Sequence, residues 1–167
     1  MGKKILQTNK KLDPQVQAWG CYFRSLQGIA EDSLGFHLSP KEINSLYEKG
    51  QRDADTWAGF VKPMKANCWV SYPDAIVKQA FELMGTTHSA VQIGANKGGG
   101  PGSPMTFWDW VYDTGNFSYH YQVRWYQIAG KNWRHAILCD ETGRTLFNPD
   151  PSLPLVGEPT IELWRVK

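Results

Sequence analysis

Long hydrophobic runs are missing from this sequence: no stretch approaches the roughly 18 apolar residues of a membrane-spanning helix, and Met1-Gly2-Lys3-Lys4-Ile5-Leu6-Gln7 has no apolar signal core. Leu6 stands where a myristoylation signal wants Ser or Thr, so Met1-Gly2 is not read as a lipid anchor. The expectation is a cytoplasmic protein that meets no membrane. Cysteine is also scarce. Cys21, Cys68 and Cys139 include no CxxC pair, which argues against a disulfide framework and against a structural zinc site and leaves reduced thiols. Net charge is small, +2 from 18 basic and 16 acidic residues that are scattered, so no field for nucleic acid is implied. The cluster Lys3, Lys4, Lys10, Lys11 reads as a solvated tail. His37, His88 and His120 lack metal-ligand spacing, and Lys97-Gly98-Gly99-Gly100-Pro101-Gly102-Ser103 lacks the GK[ST] ending of a phosphate cradle. No metal and no cofactor are expected.

What is present suits one domain around one core: 167 residues, 41% hydrophobic and 20% charged, with a mean hydropathy of -0.46. Helical spacing of Leu26, Ile29, Ala30 and Leu34 predicts a first helix from about Gly20 to Asp32, with Cys21 in its first turn. Ser39-Pro40-Lys41-Glu42 combines an N-cap, a proline at N1 and a glutamate at N3, and predicts a second helix running to Gly50. A third starts at Pro73-Asp74, buries Ile76, Ala80, Phe81 and Leu83, and stops at Gly85. The period then changes to two. Ala90 to Ile93 reads as a short strand, 96–104 as a Gly/Pro loop, and 105–112 as an aromatic-rich segment. Phe117, Tyr119, Tyr121, Val123 and Trp125 mark one face of a long strand. His135–Cys139, Arg144–Asn148 and Thr160–Val166 supply three more. Helices first and sheet second make an α+β arrangement, with the N-terminal helices packed on a C-terminal antiparallel sheet.

A thiol at a helix N-terminus meets unpaired backbone N–H groups and the positive end of the helix dipole, which favour a thiolate and can also donate to an oxyanion. Cys21 fits that position, with Gly20 before it to admit a substrate backbone. Taken alone, a cysteine in an amphipathic helix is more often a small buried hydrophobe. A nucleophile needs a base and a group that orients the base. His135 opens a late strand, and if the following turn is centred on Glu141-Thr142, the ladder sets it opposite Asn148. A longer loop or a bulge would bring Pro149 or Asp150 nearer. His120 is a rival base. Trp19, Trp108 and Trp133 could line a cleft beside Cys21 and His135, whereas Cys68 and Cys139 read as structural.

The segment Gln15-Val16-Gln17-Ala18-Trp19-Gly20-Cys21, followed by Ser25-Leu26, resembles the nucleophile motif of papain-like cysteine peptidases, and of their C39-like branch in particular. His135 entering a hydrophobic strand, with Asn148-Pro149-Asp150-Pro151 after it, is similar to the second half of that pattern. The resemblance implies a papain-like fold and a cysteine-dependent peptidase or amide hydrolase that works through a thioester. In it Cys21 is the nucleophile, His135 the acid and base, Asn148 or Asp150 the orienter, and Gln15, six residues before the cysteine, the oxyanion donor. The partner implied is a peptide or amide substrate. Tyr22-Phe23 stands where the C39-like branch carries a small pair, and this favours the alternative of a non-catalytic peptide- or glycan-binding module on the same fold.

Overall fold

The computed structural model describes residues 3–52, 62–95 and 119–167. Asp13 opens the first element, its carboxylate accepting the Gln15 N–H at 2.8 Å while Pro14 occupies the first helical position. The six-residue helix α1 (Pro14–Trp19) ends at Gly20, where a second helix, α2 (Cys21–Leu34), begins at once. The sequence pattern anticipated α2 but not α1. A Cβ at Gly20 would stand 2.4 Å from the Val16 carbonyl oxygen, so the tight junction between the two helices demands glycine there. Helix α2 is buried from Cys21 through Glu31 and closes on Gly35 in the left-handed conformation, φ 63°.

Helix α3 (Pro40–Arg52) carries the reciprocal capping box, Ser39 N–H to Glu42 Oε2 at 2.7 Å and Glu42 N–H to Ser39 Oγ at 3.2 Å. Helix α4 (Pro73–Leu83) buries Ile76, Ala80 and Phe81, but Leu83, its last residue, is largely exposed rather than core. Among the described residues no helix is long and apolar enough to cross a membrane.

The strands β1 (Ala90–Ala95), β2 (Tyr121–Ile128), β3 (Arg134–Asp140), β4 (Thr145–Phe147) and β5 (Leu155–Val166) form one antiparallel sheet in the order β1-β5-β2-β3-β4. The chain is therefore α+β. Strand β2 begins at Tyr121, the expected start at Phe117 lying outside the described residues, and β5 begins at Leu155, earlier than the Thr160 expected, with a bulge between Trp125 and Gln127 absorbing the extra length. The loop over 96–104 and the aromatic segment over 105–112 lie outside the described residues. Helix α2 lies on β3, with Ser25 Oγ donating to the Ala136 carbonyl at 3.1 Å and Gly28 leaving room for Leu138. Leu26, Ile29, Val123, Ala136, Leu138 and Trp164 belong to the apolar core of this region.

The β3–β4 turn is wider than the sequence count assumed. Asp140 Oδ1 accepts from the Thr142 and Arg144 backbone N–H groups at 2.9 and 3.0 Å and from the Thr142 hydroxyl at 2.6 Å, winding an extra residue into the loop. Cys139 consequently pairs with Thr145, a bulge follows, and Leu138 pairs with Phe147, where β4 ends. His135 and Asn148 are thus not opposed on the ladder. Whatever joins them is made by side chains.

A buried charge network fixes the other flank. Arg24 and Glu31, both without solvent exposure, pair at 3.0 Å. Arg24 also donates to Gln27 at 2.7 Å and to the Ile5 carbonyl at 2.9 and 3.1 Å, while Glu31 accepts the Leu38 N–H at 3.0 Å. The N-terminal segment is held as a result: Gln7 and Leu12 are buried, and the Gln7 N–H bonds the Pro149 carbonyl at 3.0 Å. This corrects the reading of a solvated tail, of which Lys3, Lys10 and Lys11 do point to water and Lys4 sits 3.8 Å from Asp32. The same bond pins the loop that carries Asn148 and Asp150.

Candidate active site

Cys21 is the first residue of α2, and its sulfur is buried. Backbone N–H groups of Ala136, Tyr22 and Cys21 itself bear on it and favour the thiolate. Burial outweighs them and, with the Asp150 charge adding a little, lifts the thiol above its ordinary pKa. Burial thus works against the activated thiolate that the helix position alone suggested.

His135 is buried on β3, one residue before the backbone N–H that meets the Cys21 sulfur. Its Nε2 lies 2.7 Å from Asn148 Oδ1. The same Oδ1 accepts the Asp150 backbone N–H at 3.1 Å, so the atom facing the ring is the oxygen and Nε2 must carry the proton. Nδ1 is then the bare, basic nitrogen. It is buried and bonds nothing among the described residues, and no hydrogen bond joins it to Cys21. Burial lowers the imidazole pKa, opposed by the Asn148 bond and by the Asp150 charge. Asn148 is therefore the residue in contact with His135, while Asp150 acts on both His135 and Cys21 at longer range.

Gln15 lies on the short helix that runs directly into the one Cys21 begins. It lies in the first turn of α1, whose one buried residue is Val16, and it is exposed to solvent with its backbone N–H held by Asp13. His120 is exposed, and its Nδ1 accepts the Val166 N–H at 3.0 Å, an edge contact that removes it as a rival base. Trp108 lies outside the described residues.

Cys21 opens onto a cleft of about 650 Å³ walled by Trp19, Tyr22, Trp69, Val70, Trp125 and Trp133. Asn67, Gln127, Asn132 and Arg134 are its polar groups, and His135 is not in its lining. Trp19 and Trp133 meet edge to face at 5.8 Å between ring centroids, and Trp19 and Trp69 remain 51% and 54% exposed. Cys68 lines the same cleft, at φ 59°, a left-handed conformation that a non-glycine residue seldom adopts. Its thiol is pushed up to about 12, first by burial and then by the charges of Asp13 and Cys21. Sequence reading set Cys68 aside as structural. The strained backbone has no local signature, although the exposed Trp69 beside it was a usable hint.

No protein-family model matches the chain, and neither a curated protein nor a solved structure shows significant similarity to it.

Proposed function

We propose that the protein is a papain-like, cysteine-dependent amide hydrolase that acts on a peptide or related amide through a thioester. The observation that carries this reading is the His135 Nε2 to Asn148 Oδ1 bond, which leaves a buried, bare Nδ1 one residue from the backbone group that holds the Cys21 sulfur. In the reaction, Cys21 passes its proton to His135 Nδ1 and the thiolate attacks the carbonyl carbon. The oxyanion is met by the N–H groups at the start of α2, with the Gln15 side-chain amide, on the preceding helix, as the further donor. His135 then returns the proton to the leaving amine. Water, deprotonated by the same nitrogen, attacks the thioester carbonyl, the C–S bond breaks to free the acid, and His135 hands its proton back to the Cys21 sulfur. Catalysis requires Nδ1 and Sγ to close to bonding distance when substrate enters, a tightening that many resting active sites undergo.

A second reading, a non-catalytic module that holds a peptide or glycan in the tryptophan cleft, is favoured by the raised thiol and by the missing Cys21–His135 bond. Residue-resolved alkylation by iodoacetamide across pH separates the two. Hydrolysis requires Cys21, with a short peptide amide present to fill the cleft, to react well below the pH set by a simple buried thiol, and to lose that advantage in His135→Ala. If His135→Ala leaves the profile of Cys21 unchanged under that condition as well, the binding module takes over.

A further inference from the structure

Glu162, on β5, is a buried carboxyl behind the cleft, and both of its oxygens are engaged. Oε1 accepts from the Tyr22 hydroxyl at 2.7 Å and Oε2 from the Trp125 indole N–H at 3.0 Å. The two rings lie against each other, 4.7 Å between centroids and tilted by 58°, and both line the cleft that Cys21 opens onto. Tyr22 is covalently next to Cys21. One side chain on the sheet thus grips two neighbouring walls, one from α2 and one from β2.

The chemistry of the two donors explains the carboxylate. An indole N–H can only donate, and a phenol directed at the same acceptor donates as well, so the group between them needs an acceptor on each side. An ionised carboxylate supplies both with charge-assisted bonds; the protonated acid must use one oxygen for its own hydrogen. The groups that bear on Glu162 are Tyr22 from α2, Trp125 from β2 and the Asp74 carboxylate from α4, while β1 places Ala95 opposite it in register. Burial first, with Asp74 adding to it, pushes the carboxyl up to about 7 against the pull of Tyr22 and Trp125.

We propose that Glu162 is a positioning residue for the Cys21 cleft: its carboxylate fixes Tyr22 and Trp125, and protonation slackens that wall, so ligands enter a defined cleft when the group is ionised and a loosened one when it is not. The inference rests on the reading of this cleft as the substrate site, but not on hydrolysis. Two measurements on the full chain test it. The first is the indole ¹H–¹⁵N signal of Trp125, assigned through Trp125→Phe and followed from pH 5 to 9. It should titrate near neutrality and be flat in Glu162→Gln. The second is the ratio of Cys21 alkylation rates by N-phenylmaleimide and by iodoacetamide, in which ionisation of the thiol cancels. The ratio should change several-fold through the same pH interval, lose that change in Glu162→Gln and recover part of it in Glu162→Asp.

Should Glu162→Gln fail to fold, Tyr22→Phe removes one of the two bonds with the ring kept, and should weaken the pH dependence. A Trp125 signal that titrates without any change in the ratio overturns the proposal, as does a cleft that takes up neither reagent at any pH. His135→Ala should leave the ratio and its pH dependence intact. Failure of the hydrolytic reading would therefore show in that variant's absolute rates, and failure of this one in the ratio.

Discussion

Burial of Glu162 makes a prediction about global stability that is independent of any ligand. Its carboxyl rises from the ordinary 4.5 to about 7 in the folded chain, and at about 1.4 kcal/mol per pH unit this amounts to about 3 kcal/mol. The sign follows from proton binding. Between the two pKa values the folded state holds a proton that the unfolded state has released, so stability falls as pH rises. The contribution is fully present below pH 4.5 and lost by the time pH has passed about 7. Glu162→Gln removes the titration and leaves the opposite tendency of His135 in place, so the difference between the two proteins isolates this group. Urea unfolding at fixed pH values from 4 to 8.5 measures it, with a constant m-value as the check on two-state behaviour. The wild type should lose about 3 kcal/mol relative to the variant, with a steepest slope of about 1.4 kcal/mol per unit between pH 5 and 7. A difference that is flat, or that favours the wild type as pH rises, refutes the reasoning.

Replacing Asn148 by Ala removes the acceptor that fixes His135. Imidazole ¹⁵N shifts should then change from a bare Nδ1 and a protonated Nε2 to a mixture of tautomers, with the pKa falling further below the ordinary 6.5 because the lost bond favoured the charged ring. Arg24→Met strips Glu31 of its buried partner and frees Ile5; urea unfolding should show a loss of about 3–5 kcal/mol, and Arg24→Met combined with Glu31→Leu should recover much of it. At Gly20 the φ of -80° suits any residue, so Gly20→Ala acts through its clash with the Val16 carbonyl and side chain and should cost about 1–3 kcal/mol by the same assay.

The local signals in the sequence worked where chemistry is local. Ser39 and Glu42 cap α3 as their spacing requires, Pro73 starts α4, and the short apolar run from Ala136 to Cys139 marks β3, which is buried from His135 to Cys139. The ladder count from His135 to Asn148 failed for an equally local reason that spacing does not display, the three bonds that Asp140 gathers in the turn. Yet Asn148 reaches His135 by its side chain, held by the Asp150 N–H in a short Asx turn. The Arg24–Glu31 pair and the bond from Gln7 to Pro149 join residues distant along the chain or hidden in a helix face that reads as polar. Glu162 shares that obscurity. The pattern from Thr160 to Val166 marks a strand, and only the fold shows two donors converging on its glutamate.

The bulky pair after Cys21 gains a different meaning from these contacts. Read in the sequence, Tyr22-Phe23 in place of small residues favoured a protein without catalysis, since two large rings beside a nucleophile would obstruct it. In the folded chain Phe23 packs away from the cleft against Tyr47, 6.4 Å between centroids, and Tyr22 spends its hydroxyl on Glu162 across the sheet. Neither ring is loose over the sulfur. The departure from the C39-like pattern is therefore accounted for by packing, and it no longer weighs against a reactive Cys21. What still does is the burial that raises the Cys21 thiol, together with the bare His135 Nδ1, which bonds nothing among the described residues. The choice between hydrolase and binding module accordingly reduces to one distance, from Nδ1 to Sγ with a ligand in the tryptophan cleft. A thiol that stays protonated and unreactive with the cleft filled decides for the module, and one that gains nucleophilicity only then decides for the enzyme.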